Sequence, residues 1–328
     1  MHNIAQIGIG RMGALHLRNV VANPRLKLTW IVDPAPEAAN AARQYQAKIT
    51  TSLDEALADP NVKGVVVASP TAFHLEHVLA CLKAGKAVFC EKPLDLDLGR
   101  LKAAEKELSK PAAPLFVAFN RRFDPHFRKL KRHIVDGTIG ALETINIINH
   151  DPAAPPAHFI GTSGGLFKDF TIHDFDMAAW LMPDPLTEIF AWTSCLVDPA
   201  IAEAGDVDTA RLLLRDAKGR MCMISNTRRS GCGYDQRIQA FGSKGMASAN
   251  AVPQDATEIW QEHGALRAPL HPGFIGRYAE AYRAELDHFA DILDGKAKPE
   301  TSYDASIQSL ALAEAAARSV TLNAPVKL

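Results

Sequence analysis

The run Ile4-Ala5-Gln6-Ile7-Gly8-Ile9-Gly10-Arg11-Met12-Gly13 sets the reading of the whole chain. A short apolar stretch leads into G-x-G-x-x-G, and residues of helical character follow over 11–21. Strand, glycine turn and helix in that order suit a loop that cradles a pyrophosphate. The first glycine makes the tight turn, the second lets the backbone approach the ligand, and the third lets the helix lie close to the strand. The helix N-terminus favours the phosphate charge. A glycine turn alone is a weak signal, but a second strand is expected over Leu26–Val32, and it ends in Asp33. That acid stands about 20 residues past the glycines, where a dinucleotide fold holds the adenosine ribose. Gly8, Gly10, Arg11, Met12, Gly13 and Asp33 are therefore candidate cofactor contacts. Pro34 follows Asp33 with no arginine beside it, which favours NAD over NADP because a carboxylate repels the extra phosphate.

The alternation continues outward from this turn. Helices are expected over Glu37–Tyr45, from a Ser52 cap to 57, over 73–84 with Gly85 as the left-handed stop, and over 98–108. Strands are expected over 64–68, 87–90 and Leu115–Ala118. This is a doubly wound parallel α/β sheet. Ligands of such sheets sit at the carboxyl ends of the strands, where Gly8, Asp33, Ser69, Lys92 and Asn120 fall. Lys92 at a strand end can donate to a substrate hydroxyl and stabilise a developing alkoxide.

After Asn120 the pattern changes. Asp124-Pro125 opens a basic helix to 135, closed by Gly137, and a strand follows over 141–149. A loop with Pro155 and Pro156 leads to Gly164-Gly165 and a helix through Trp180. On that helix Leu166, Phe170, Met177 and Leu181 recur at helical spacing, and Asp169 and His173 lie four apart on a neighbouring stripe. An imidazole beside a carboxylate is a usual general base near neutral pH. Asp174 and Asp176 are expected either to support the site from behind its contact residues or to be structural. Strands follow over 186–197, 209–215, Met221–Thr227 and 236–242, with Lys218-Gly219 as a hairpin turn. Two long helices, 277–293 and 303–320, complete an α+β second half whose sheet is mostly antiparallel. The expected domains are 1–119 and 120–328.

The chain has 328 residues and a formal net charge of −1, with no basic cluster interleaved with aromatics, so nucleic acid is not an expected partner. Apolar runs are too short to span a bilayer, and the N-terminus enters a strand without a basic flank. Five dispersed cysteines show no zinc-ligand spacing; no metal is expected, and reduced thiols in a cytoplasmic protein are.

Gly8 to Gly13 with His16, Glu91-Lys92-Pro93, Asn120-Arg121-Arg122-Phe123-Asp124 and the G-G-x-x-x-D-x-x-x-H-D-x-D stretch from Gly164 to Asp176 resemble the glucose–fructose oxidoreductase / inositol dehydrogenase / MocA family. Gly233-Tyr234-Asp235-Gln236-Arg237, Phe241-Gly242-Ser243-Lys244-Gly245 and the 277–282 stretch make the bacterial inositol 2-dehydrogenases the nearest branch. The resemblance implies a Rossmann domain followed by a large open sheet whose outer face forms a homotetramer or dimer. It implies NAD as cofactor, adding Ser69, Pro70, His74, Glu91 and Lys92 to the contacts above. Lys92, Asp169 and His173 match the family's catalytic lysine, aspartate and histidine. Arg121, Asp151 and Tyr234 lie near positions that touch the polyol substrate, together with Lys92, Asp169 and His173. His150-Asp151-Pro152 stands where the family has Arg-Asp-Pro, and Tyr278 and Tyr282 are both candidates for the pocket. The implied reaction is oxidation of a secondary hydroxyl of a polyol or sugar, myo-inositol foremost. The alternatives within enzymes are scyllo-inositol, an aldose or another sugar derivative as substrate, and the alternative outside them is a nucleotide-sensing protein without turnover.

Overall fold

A computed structural model describes residues 1–156, 160, 161 and 163–328. The chain forms two compact units, Met1–Asn120 with Ala281–Gln308, and Arg121–Glu280 with Ser309–Leu328.

The first unit carries a six-stranded, wholly parallel sheet: β1 (His2–Ile7), β2 (Leu26–Val32), β3 (Lys48–Thr50), β4 (Val62–Val67), β5 (Ala87–Glu91) and β6 (Leu115–Ala118), in spatial order β3-β2-β1-β4-β5-β6. The order reverses between β1 and β4, which opens the crevice in which such sheets bind ligands. Val65, Val66, Val67, Val88, Phe89, Cys90, Phe116 and Val117 are fully buried. Central strands of a parallel sheet are covered on both faces, so their sequences read as apolar runs and not as alternation. The connecting helices are α1 (Arg11–Ala22), α2 (Glu37–Tyr45), α3 (Leu53–Ala58), α4 (His74–Lys83), α5 (Leu98–Ala103) and α6 (Glu105–Ser109). The single helix expected over 98–108 is thus two, parted at Ala104. The short edge strand β3 escaped the sequence reading, since three residues carry no periodicity.

The later segment of this unit is tied to it by polar and aromatic contacts. Asn23 Nδ2 donates to Asp287 Oδ1 at 2.9 Å, Thr301 Oγ1 donates to the Val117 carbonyl at 2.5 Å, and the Phe89 and Phe289 rings lie 5.8 Å apart. No proximity in sequence announces these pairs.

The second unit is built on a seven-stranded sheet of β7 (Leu142–His150), β8 (Leu186–Ser194), β9 (Thr209–Asp216), β10 (Met221–Thr227), β11 (Asp235–Gly242), β12 (Gly245–Ala249) and β15 (Val326–Lys327), in order β12-β11-β7-β10-β9-β8-β15. Only β7 and β10 pair in parallel. Along β9, Ala210, Leu212 and Leu214 are buried while Arg211, Leu213 and Arg215 face water, the period of two expected of a sheet covered on one side. A separate hairpin joins β13 (Glu258–Gln261) to β14 (Gly264–Arg267). Its helices are α7 (Pro125–Val135), α8 (Ile172–Leu181), α9 (Pro199–Glu203) and α10 (Phe274–Arg277), while α11 (Ala279–Leu293) and α12 (Tyr303–Leu322) are shared by chain continuity with the first unit. Asp124 caps α7 as expected, accepting from the amides of His126 at 3.0 Å and Phe127 at 3.1 Å. The helix expected from 277 begins instead at Ala279, after the short α10. Among the described residues no helix is long and apolar enough to cross a membrane.

The main departure concerns the stretch after Gly164-Gly165. It does not enter an α-helix directly: Leu166–Thr171 is π-helical and α8 starts at Ile172. Both glycines have left-handed φ angles, +85° and +75°, and a Cβ on Gly165 would meet Asp206 Oδ1 at 2.8 Å. Asp206 then accepts from the Leu166 amide at 3.1 Å, and Thr171 Oγ1 lies 3.2 Å from the Leu166 carbonyl, five residues back. These side-chain contacts favour the wider turn, which is common at functional sites.

Candidate active site

In the first unit, the glycine turn divides its duties as the fingerprint requires. Gly8 has φ +87°, and a Cβ there would lie 2.5 Å from the Ala68 carbonyl oxygen at the end of β4. A Cβ on Gly13 would collide with the Gly8 carbonyl, whereas Gly10 has open space on that side. Gly10 precedes α1, so the open position coincides with the exposed amides of a helix N-terminus. A dinucleotide pyrophosphate fits there, since the one glycine without a steric neighbour is the one that must face it. Arg11 and Met12 open α1 beside it.

A buried glutamine missed in the sequence reading holds this turn. Gln6 Nε2 donates to the carbonyls of Gly8 at 3.1 Å and Gly13 at 2.6 Å. Its signal was a lone amide inside an apolar strand. Asp33, half-buried at the end of β2, accepts from the Ile9 amide at 2.8 Å and the Ala35 amide at 2.7 Å. Both bonds fix the carboxylate beside the turn and leave lone pairs for a ribose.

Around Lys92 the polar groups are closely spaced. Glu91 is buried; its Oε1 lies 2.6 Å from His16 Nε2, and its Oε2 accepts from the Lys92 amide at 3.2 Å. Burial opposes the Glu91 charge, but the His16 bond and the charges of His16, Lys92 and His74 prevail, and its pKa is lowered. His74 is buried too, with Nδ1 2.8 Å from the Pro93 carbonyl and Nε2 2.8 Å from the Ser69 carbonyl. Both ring nitrogens are thus engaged by backbone, and His74 braces the loops after β4 and β5. Ser69 Oγ lies 3.0 Å from His77 Nδ1, and Pro70 leads into a 3₁₀ turn at Thr71–Phe73. Lys92 itself is half-buried.

Glu285, on α11, is fully buried and neither carboxyl oxygen has a hydrogen-bond partner. Burial, with the Glu91 charge adding to it, raises its pKa well above the ordinary carboxylate range. The folded protein therefore keeps a proton that the unfolded chain releases near pH 4.5. Above that pH the unfolded state binds fewer protons, so stability falls as pH rises, until the folded carboxyl also titrates. Glu285→Gln removes the effect: the stability gap in its favour is expected to widen by about 1.4 kcal/mol per pH unit from pH 5 towards neutrality. Urea unfolding at several pH values measures it, and a gap that stays constant with pH would refute a neutral Glu285.

In the second unit, Asp174 is the centre of a polar network under α8. Arg121 Nη1 donates to its Oδ1 at 2.6 Å, while Asn149 Nδ2 and Asn226 Nδ2 donate to its Oδ2 at 2.7 and 2.8 Å. Asn226 pairs directly with Asn149, and Asn149 with Gln236, across β10, β7 and β11. Gln236 Nε2 donates to Asn149 Oδ1 at 2.5 Å, so one polar row crosses the buried face of the sheet. Burial raises the Asp174 pKa, opposed first by Arg121 and then by the amides. Asp176 is bound through both oxygens by Arg122. Both aspartates are thus held in buried ion pairs with arginines.

Arg121, expected near the substrate, is 3% exposed. Burial opposes its charge, but Tyr278, Asp174 and Tyr234 hold it, the last through a side-chain hydrogen bond as well, and its pKa is raised. Tyr234 is buried beside it, with its hydroxyl pKa raised by burial. Asp151 is half-buried after β7, and burial pushes its carboxyl up to about 6. His150, where the resemblance implied an arginine, lies with Nε2 2.9 Å from Ser225 Oγ and Nδ1 3.9 Å from Asp235 Oδ2. Asp169 sits in the π-helical turn and His173 on α8, both half-buried. Arg228, not singled out in the sequence, reaches Asp151 Oδ2 at 3.4 Å and Asp169 Oδ2 at 3.5 Å. Of the two tyrosines considered, Tyr278 belongs to this unit, its ring 5.8 Å from the Arg121 guanidinium, while Tyr282 stands 6.0 Å from the His16 ring in the first.

The comparisons with known proteins give the family of both halves of the chain. Residues 2–119 match the oxidoreductase family with the NAD-binding Rossmann fold, and residues 127–248 match the GFO/IDH/MocA C-terminal domain. The chain is 42% identical over 315 residues to inositol 2-dehydrogenase of Rhizobium meliloti strain 1021, covering 96% of this chain and 95% of that one. A solved myo-inositol dehydrogenase from Corynebacterium glutamicum superposes with a TM-score of 0.94 at 36% identity, over 100% of this chain and 99% of the other. A scyllo-inositol dehydrogenase from Lactobacillus casei, solved with NAD(H) and scyllo-inositol, gives 0.92 at 27% identity, over 100% and 99%. With both halves matched and the glycine turn, Asp33 and Lys92 at the strand ends of a parallel sheet, the chain belongs to the Gfo/Idh/MocA family of NAD-binding oxidoreductases.

Proposed function

We propose that this protein is an inositol 2-dehydrogenase, oxidising the secondary hydroxyl of myo-inositol to 2-keto-inositol with NAD. The observation that carries the reading is the 42% identity, over nearly the whole of both chains, to a protein named inositol 2-dehydrogenase. When bound, NAD supplies the hydride acceptor. Gly8, Gly10 and Gly13 with the start of α1 hold the pyrophosphate, and Asp33 receives the ribose hydroxyls and disfavours a 2′-phosphate. His173 takes the hydroxyl proton, Asp169 orients His173 and stabilises its protonated form, and Lys92 donates to the reacting oxygen. The hydroxyl proton would go to His173, and the hydrogen on the same carbon would leave as hydride to NAD when it is bound. Arg121, Asp151 and Tyr234 complete the polyol side, Arg121 by holding Tyr234 more than by direct contact.

The likeness to a structure solved with scyllo-inositol supports a second reading, in which that isomer is preferred. NADH formation against inositol isomers, hexoses and pentoses, with NAD and NADP compared, separates the two. The expected result is fastest turnover with myo-inositol and NAD; reduction of neither cofactor by any polyol would remove the assignment.

We further place the protein in the cytoplasm as a homo-oligomer. Its five cysteines are all unpaired thiols, which suits a reducing compartment. The solvent face of the large sheet carries exposed Trp192, Leu213, Met221 and Met223 on adjoining strands, an apolar surface suited to a second copy of the chain.

A further inference from the structure

Arg228 stands just past the end of β10, its backbone amide bound to the Asp208 carbonyl at 2.9 Å. Its side chain is only 5% exposed, and the guanidinium carbon lies 4.7 Å from the centre of the Phe170 ring. A cation over an aromatic face is attracted by the ring. One terminal nitrogen of the guanidinium faces Asp151 and the other Asp169. The two carboxylates come from separate stretches, one after β7 and one from the π-helical turn, so a single cation joins them. The neighbouring Arg229 is exposed, so the paired arginines of the sequence have different surroundings.

We propose that Arg228 is a positioning residue for the dehydrogenation: it ties Asp151 to Asp169 and holds in place the carboxylate on which His173 depends. This rests on the roles given above to Asp169 and His173. Two carboxylates that share a site raise each other's proton affinity, and a cation between them lowers it. At Asp151, burial and the Asp169 charge favour the proton, while Arg228 and Arg121 oppose it. Tyr234 also faces Asp151. Arg228 therefore governs the pH at which this group of charges becomes competent for catalysis.

The sign of the effect distinguishes this role from simple packing. Arg228→Met keeps the stem over Phe170 and removes the charge. The acidic limb of log kcat/KM is expected to move up by about 1–3 pH units, with kcat lowered roughly tenfold at neutral pH, a modest loss beside that of a general base. Arg228→Lys is expected to return the limb most of the way. Asp151→Asn removes a negative charge from the same group and is expected to shift the limb down or abolish it. Those opposite signs hold whichever of the two carboxylates carries the limb, because both face the Arg228 charge.

A folded Arg228→Met enzyme that loses activity at all pH values with its limb unmoved would overturn the proposal. So would an Asp151→Asn limb that stays in place or moves up, and that variant decides the matter if Arg228→Met does not fold. His173→Ala tests the underlying reading separately. If it abolishes turnover while neither Arg228 nor Asp151 moves the limb, only the role of Arg228 is lost.

Discussion

His173→Ala is expected to lower kcat by about 10²–10⁴-fold while the dissociation constant for NAD changes less than about threefold, below one kcal/mol. The split follows from where the groups lie. The glycine turn, Asp33 and the loop bearing Lys92 belong to the first compact unit, and His173 on α8 belongs to the second. On the proposed mechanism, removing the imidazole deletes the group that accepts the hydroxyl proton and leaves the nucleotide contacts intact. The deficit should narrow as pH rises, because hydroxide in bulk water replaces the missing base in part. Steady-state kinetics across pH, paired with NAD binding followed by protein fluorescence, gives both quantities. Turnover close to that of the native enzyme, with cofactor bound, would exclude His173 as the base.

The largest stability effect is expected at Asp174. Replacement by alanine leaves the Arg121 guanidinium buried and charged, and it also strands the amides of Asn149 and Asn226 that Asp174 now accepts. Breaking a buried pair from one side costs about 3–5 kcal/mol. Removing both charges together costs much less, since the desolvation of each is relieved with the attraction. The double variant Arg121→Met with Asp174→Leu is therefore expected to be more stable than Asp174→Ala alone. Urea unfolding of the single and double variants measures the coupling. A single variant that loses under about 1 kcal/mol, or a double that loses the sum, would show that the network bears little load.

The two results together separate the roles of neighbours on one helix. His173 and Asp174 are adjacent in sequence, yet one is half-buried at the candidate site and the other anchors the helix to the sheet. Helical geometry makes this inevitable, because successive residues point about 100° apart.

Much of the first unit, and some of the second, was legible in the chain. The bounds of Leu26–Val32, Glu37–Tyr45, Leu115–Ala118 and Met221–Thr227 were reached from hydrophobic runs and caps alone. Elements whose ends are marked by local chemistry, such as Ser52 before α3 or Gly85 after α4, were placed to within a few residues. Strands such as β12, β13 and β14 were not seen, since short exposed segments carry weak periodicity. The π-helical turn was also out of reach. It depends on Asp206, forty residues on, and on Thr171 bonding back to Leu166, and neither leaves a mark in the local pattern.

The candidate site divides in the same way. Gly8, Gly10, Gly13, Asp33, Lys92, Asp169 and His173 could be named because each sits in a short motif whose spacing expresses its chemistry. Gln6, Asn149, Asn226, Gln236 and Arg228 could not, because each is a single polar residue whose partner lies far along the chain. Local order of residues is enough to specify a turn, a cap or the period of a strand, since those depend on neighbours a few bonds away. Which buried polar groups face one another depends on strand register and on chain segments brought together by folding. The row Asn226-Asn149-Gln236 beneath Asp174 and the arginine shared by Asp151 and Asp169 therefore emerge only in three dimensions.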